Sequence, residues 1–287
     1  MAEVSEKIAV VGAGLMGAEI AFVFALAGHD VKLHDQNAAA LEAALTRLRS
    51  VFDRGVAREF YKADDRAAIF ARIHAEPDLR RFADRDYVVE AVFEREEVKN
   101  EVLAALDAIC PPHCVIATNT STIPITVLAA AVSEGRRTRF IGTHYFSPVS
   151  RMKLVEIIPG LATDEATIDT TMRLCRNTGK TPIRIKDVPG FAVNRLLHVF
   201  MIEAVRLVEE GVATPEDIDL ACRLGLGHPM GPFELMDATT SSLCLEAQDI
   251  MHAAYGERFR PRPLLKQRVR AGLIGGKGRP GWRRRNA

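Results

Sequence analysis

No apolar stretch of this 287-residue chain reaches the ~18–20 residues a membrane span requires. Its N-terminus lacks the basic segment and apolar core of a secretory leader, so the expected setting is cytoplasmic, with no membrane partner. Cysteine is sparse: Cys110, Cys114, Cys175, Cys222 and Cys244 are an odd set of five. Cys110 and Cys114 stand close, across Pro111-Pro112-His113, but no second pair completes a metal site. Reduced, buried thiols and no metal are therefore expected. There is no internal repeat and no low-complexity linker. With 48% hydrophobic and 26% charged residues, the composition excludes disordered, collagen-like and disulfide-dense chains. The length suits one large domain or two modest ones.

The formal net charge of +1 hides an asymmetry. Eleven of the 38 basic residues, and no acid, lie from Arg258 to Ala287, which leaves 27 basic against 37 acidic residues before them. That basic end has no aromatic interleaving beyond Trp282 and no recognition motif beside it, so nucleic acid is not an expected partner.

Strand-like and helix-like segments alternate through the first half. Short apolar runs at 8–11, 30–35, 87–92, 115–118, 140–144, 153–158 and 182–186 read as strands, and the stretches between most of them carry helical spacing. Asn37 is a plausible cap for an Ala-rich helix, and a charged helical region continues to about Arg72. Repeated β-α-β order predicts a mostly parallel sheet covered by helices. The pattern breaks at Asp187-Val188-Pro189-Gly190. Beyond it, 191–210 reads as one long amphipathic helix, Thr214-Pro215-Glu216-Asp217 as the start of another, and no further strand is convincing. The fold class is thus α/β: a Rossmann-type, mostly parallel sheet domain over 1–188, followed by a smaller all-helical domain over 189–287.

Gly12-Ala13-Gly14-Leu15-Met16-Gly17 fits G-x-G-x-x-G, a weak pattern alone. Here it follows an apolar strand and opens a helix. The first glycine permits the turn, the second lets backbone approach a diphosphate, and the third lets helix pack on strand. The diphosphate would meet free N–H groups at the positive end of the helix. Asp35 ends the second strand; a carboxylate there accepts from both ribose hydroxyls and repels a 2′-phosphate, favouring NAD over NADP. Three polar features fall near strand ends, where open α/β sheets bind ligands: Asn119-Thr120-Ser121-Thr122, His144 and, within an apolar run, Glu156. A lone Glu in such a run needs a partner. An imidazole would satisfy it, and the carboxylate would fix the ring tautomer and stabilise the imidazolium. A salt bridge from Glu156 to Lys or Arg, with His144 an ordinary core histidine, is the competing reading of the same spacing.

Taken together, Gly12–Gly17 with Asp35, Val89-Glu90-Ala91-Val92-Phe93-Glu94, Asn119-Thr120-Ser121, His144-Tyr145-Phe146-Ser147-Pro148-Val149, Met152-Lys153-Leu154-Val155-Glu156, Pro189-Gly190-Phe191-Ala192-Val193-Asn194-Arg195 and His228-Pro229-Met230-Gly231-Pro232-Phe233 resemble the L-3-hydroxyacyl-CoA dehydrogenase family. The order and spacing match over roughly residues 5–240. The resemblance implies reversible, NAD-dependent oxidation of an L-3-hydroxyacyl-CoA to the 3-ketoacyl-CoA. It makes His144 the general base, Glu156 its partner, and Ser121 and Asn194 further catalytic residues that also contact substrate. Gly12, Gly14, Leu15, Met16, Gly17, Asp35, Glu94, Lys99 and Asn119 would hold NAD; Lys62 would meet CoA. A homodimer through the C-terminal domain is implied in the same way. A dehydrogenase of a non-CoA 3-hydroxy acid, or an NAD-binding relative without turnover, are the alternatives; Ser121, His144, Glu156 and Asn194 together speak against the second.

Two segments depart from the family pattern. Ala238-Thr239-Thr240-Ser241-Ser242 replaces a hydrophobic-Gly-Leu-Asp stretch, and Trp282 followed by Arg283-Arg284-Arg285 replaces an aromatic-rich ending. Trp282 is expected to fill the usual aromatic pocket. The arginines read as a solvated tail or, more sharply, as a cationic end that draws in the multiply anionic CoA.

Overall fold

A computed structural model describes residues 5–283 of the chain; Arg284 and Arg285 lie outside them. Two compact units divide it, Met1–Val188 and Pro189–Ala287. In the first, the elements run β1 (Lys7–Val11), α1 (Leu15–Leu26), β2 (Asp30–His34), α2 (Ala38–Val56), α3 (Arg66–Ala71), β3 (Ile73–Glu76), β4 (Tyr87–Glu90), α4 (Glu96–Ile109), β5 (Val115–Thr118), α5 (Ile125–Leu128), α6 (Glu134–Arg137), β6 (Phe140–Tyr145), β7 (Leu154–Pro159), α7 (Glu165–Asn177) and β8 (Thr181–Arg184). The strands form one sheet in the order β3-β2-β1-β4-β5-β6-β7-β8, parallel throughout except between β6 and β7.

Local chemistry sets these bounds. Asn37 caps α2 by accepting from the Ala39 N–H at 3.0 Å, and Asp164 caps α7 by accepting from Thr167 N–H at 2.7 Å. Helix α1 is apolar on nearly every side because it lies in the core among Val10, Leu33, Leu48 and Phe52. Two expectations need correction. The helical region does not run unbroken to Arg72: α2 stops at Val56, and after α3 the chain enters the edge strand β3. Ile73-His74-Ala75-Glu76 is too short and polar to carry a strand signal; pairing with β2 makes it one. Second, Glu156 lies toward the N-terminal end of β7 rather than at a strand's carboxyl end, because β7 runs against β6. Eight residues join those strands, fewer than a parallel crossover needs, so the reversal was deducible from length.

The second unit contains α8 (Val193–Glu209), α9 (Pro215–Gly225), α10 (Pro232–Thr239), α11 (Ser241–Tyr255) and α12 (Pro263–Arg270), with no strand among the described residues. Thr214 caps α9 with Pro215 in its first turn. Met201, Val205, Phe233, Met236, Leu265 and Trp282 make its core. Trp282 packs on Phe233 at 4.9 Å between ring centroids, lies under the Arg268 guanidinium, and donates its indole N–H to Ser241 Oγ at 2.9 Å. The two departures from the family pattern therefore meet: the hydroxyl of one satisfies the indole of the other. Arg283 is not solvated freely but pairs with Glu234 at 2.8 Å. All five cysteines are buried and free.

His198 on α8 is buried beside Cys244, and burial pushes its imidazole down to about 4. Below pH 6.5 the unfolded chain binds a proton that the folded unit refuses, so stability falls as pH drops from about 6.5 toward 4. Urea melts across that range should show the loss, and His198→Leu should flatten it; an unchanged slope in the variant would contradict this assignment.

Candidate active site

Backbone demands explain the glycine turn. Gly12 has φ +102°, and a Cβ there would meet the Ala91 carbonyl oxygen at 2.6 Å. A Cβ on Gly17 would lie 1.9 Å from Gly12 O, so α1 packs on β1 only with glycine at that place. A Cβ on Gly14 would meet nothing within 4 Å: the space before the helix is open. Gly14 is the N-cap of α1 and supplies no side-chain cap, and the first turn, Leu15 and Met16 included, contains no acid. Its N–H groups are thus available to an anion. Asp35 closes the other side. Its Oδ2 accepts from Ala13 N–H at 2.9 Å and Oδ1 from Asn37 N–H at 3.0 Å, which leaves lone pairs on both oxygens for ribose hydroxyls. The donor set fits a dinucleotide.

The next two strand ends are built around buried charge. Glu90, at the end of β4, is fully buried and accepts from Val92 N–H at 2.7 Å, Thr118 Oγ1 at 2.6 Å and Lys99 Nζ at 2.8 Å. Lys99 Nζ also lies 3.4 Å from Glu94. Glu94 Oε1 in turn accepts from Thr120 Oγ1 at 2.6 Å, Ser121 N–H at 2.7 Å and Thr122 N–H at 2.9 Å. Burial would raise the Glu94 carboxyl, but Lys99 and these donors outweigh it and hold it below the ordinary range. Lys99 and Glu94 thus shape the loop after β5 from beneath. The Ser121 hydroxyl has no hydrogen-bond partner among the described residues. Asn119 Oδ1 accepts from Tyr145 N–H at 3.0 Å, which ties this loop to the residue after His144.

His144 and Glu156 are direct cross-strand partners in the antiparallel β6–β7 pair. His144 Nδ1 is 2.8 Å from Glu156 Oε2; Glu156 is 0% and His144 4% exposed. The imidazole is thus a partner of the kind the apolar run required. Phe146 flanks the ring at 4.5 Å between centroids. Asn194 belongs to the second unit, on the first turn of α8. Lys62 is exposed, at the rim of a 680 Å³ depression lined also by Phe60, Tyr61 and Arg72. Sequence reasoning missed Glu90 and Thr118 as a buried support; a carboxylate closing the apolar run Tyr87-Val88-Val89 was the available signal.

Comparison with known proteins gives a consistent picture. Residues 7–188 match the family model for the 3-hydroxyacyl-CoA dehydrogenase NAD binding domain, and residues 190–284 match that for the C-terminal domain. The chain is 41% identical over 280 residues to a probable 3-hydroxybutyryl-CoA dehydrogenase of Deinococcus radiodurans, covering 96% of this chain and 99% of the other. It superposes on M. tuberculosis FadB2 with a TM-score of 0.93 at 37% identity, over 99% of this chain and 100% of that one. A third likeness is to the (S)-3-hydroxybutyryl-CoA dehydrogenase PaaH1 of Ralstonia eutropha, with a TM-score of 0.91 at 36% identity, over 96% and 98% of the two chains.

Removing the ammonium beneath the β5 loop should be costly, because Glu90 would keep a buried charge without its cation. Lys99→Met is expected to lower unfolding stability by about 3–5 kcal/mol. Adding Glu90→Gln should recover part of that in urea melts; full stability in the single variant would contradict the network.

Proposed function

Because the chain belongs to the 3-hydroxyacyl-CoA dehydrogenase family, we propose that it oxidises an L-3-hydroxyacyl-CoA to the 3-ketoacyl-CoA with NAD, reversibly, and that His144 and Glu156 are its acid–base pair. The observation that carries this reading is the 2.8 Å contact between the two side chains at the sheet edge that also bears the glycine turn. Bound NAD supplies the hydride acceptor. With Nδ1–H donated to Glu156, the basic lone pair of the neutral ring is on Nε2. Nε2 takes the C3 hydroxyl proton as the C3 hydride leaves, and the buried carboxylate stabilises the imidazolium that forms. In reverse the same proton returns to the ketone oxygen. The Ser121 hydroxyl, with no hydrogen-bond partner among the described residues, is a donor for the substrate oxygen, and Asn194 contributes at the thioester carbonyl. Lys62 is assigned to the anionic CoA moiety. The relatives' names make 3-hydroxybutyryl-CoA the first substrate to test.

Homodimerisation through the second unit is part of this reading. Leu196, Val199, Leu220, Leu224, Leu226 and Leu243 of that unit are exposed, and apolar side chains of this size are of the kind a subunit contact would cover. The buried free thiols support a reducing, cytoplasmic setting.

The test follows NADH absorbance with acetoacetyl-CoA, with free acetoacetate and without substrate. Turnover is expected on the thioester alone. His144→Gln should lower kcat by ~10²–10⁴ while NADH binding persists. Equal turnover of the free acid, or an active His144→Gln, would contradict the reading.

A further inference from the structure

The eight-residue connection between β6 and β7 joins the strand of His144 to the strand of Glu156, and two charged side chains from elsewhere in the unit fasten it. Lys180, immediately before β8, is buried and donates from Nζ to the carbonyl oxygens of Val149 and of Met152, the latter at 2.8 Å. Glu19, on α1, accepts from Ser150 N–H at 2.8 Å through Oε2. The neighbouring backbone is tied in as well, with Thr181 N–H donating to Lys153 O at 2.7 Å and both Arg151 and Met152 N–H to Pro148 O. The helix that opens at the glycine turn and the strand beside β7 therefore grip one short segment from two sides.

We propose that Glu19 and Lys180 are positioning residues for the reaction: together they fix the β6–β7 connection against the cofactor-binding helix, and so fix where the His144 imidazole stands relative to that helix. The proposal rests on the dehydrogenase reading above. The hydrogen bonds of both side chains go to backbone atoms of the connection, so both act through backbone. The mechanism is steric and electrostatic. Val149 is buried, so its carbonyl cannot turn to water if Lys180 is removed, and the segment must shift to satisfy it. Ser150 N–H, at a half-buried position, loses its acceptor without Glu19. Desolvation lowers the Lys180 ammonium to about 8, with Lys153 adding to the fall, while Glu19 and Cys175 oppose it. Opposite charges on the two clamps are thus mutually supporting. Hydride transfer tolerates little misplacement, and a shift near 1 Å costs on the order of a hundredfold in rate.

The experiment uses the full chain and three variants, Glu19→Ala, Glu19→Gln and Lys180→Met, each studied well below its melting temperature. Three quantities are read: kcat with acetoacetyl-CoA, the NADH dissociation constant by fluorescence, and the downfield NMR resonance of the His144 Nδ1 proton. Glu19→Ala and Lys180→Met should lose roughly tenfold to a hundredfold in kcat, with NADH affinity within about twofold and the Nδ1 proton resonance shifted or broadened. Glu19→Gln keeps an oxygen acceptor for Ser150 and should recover most of the kcat and the resonance. A kcat near that of the unmodified chain in both damaging variants overturns the proposal, as does a loss of kcat with the resonance unmoved. If the unmodified chain turns over no 3-ketoacyl-CoA, the dehydrogenase reading fails; the resonance, which needs no substrate, still decides the clamp.

Discussion

One buried contact organises the first unit: the carboxylate of Glu156 against the imidazole of His144. A fully enclosed carboxylate is tolerable only with a hydrogen-bond donor in fixed geometry. The sheet supplies that geometry by reversing one strand. Had β7 run parallel, its residues would not face β6 in a short-linked pair. Because it returns after eight residues, side chains equally far from the turn become register partners, and 144 and 156 are such a pair. The same reversal brings the N-terminal end of β7 to the ligand-binding edge. A polar pair that would weaken an ordinary core is thus placed where chemistry can use it.

Charge is buried at the neighbouring strand end by a different device. Glu90, Lys99 and Glu94 form a chain in which one ammonium serves two carboxylates, and the second carboxylate holds four donors of the loop carrying Ser121. The loop has no regular structure to fix it; Glu94 does that work. Asn119 then links this loop to Tyr145, next to His144. Rigidity at the site therefore comes from polar networks anchored in strand ends, not from the loops themselves.

The legible and illegible parts of the sequence separate on physical grounds. The glycine turn, Asp35 and the helix caps at Asn37 and Thr214 are local signals, and each stands at its expected element. The His144–Glu156 contact was legible as a problem, a lone acid in an apolar run, but spacing alone did not choose between imidazole and guanidinium. Edge strand β3 was not legible, because its four residues become a strand only by pairing with β2. Lys99 was assigned to NAD through the resemblance alone, and its burial, 1% exposed between two carboxylates, was not legible. A lysine's burial depends on partners distant in space, which the linear pattern does not show. Trp282 and Ser241, 41 residues apart, each departed from the family pattern without explanation until their hydrogen bond joined them.

The central claim is that His144 and Glu156 act as one unit. Kinetics of His144→Gln, Glu156→Gln and the double variant with acetoacetyl-CoA test it most directly. An amide at 156 presents an N–H to Nδ1, forces the proton onto Nε2 and removes the base. Each single variant should then lose comparably in kcat, and the double should be little worse than either. A Glu156→Gln enzyme with nearly full kcat, or losses that multiply in the double variant, would contradict the account.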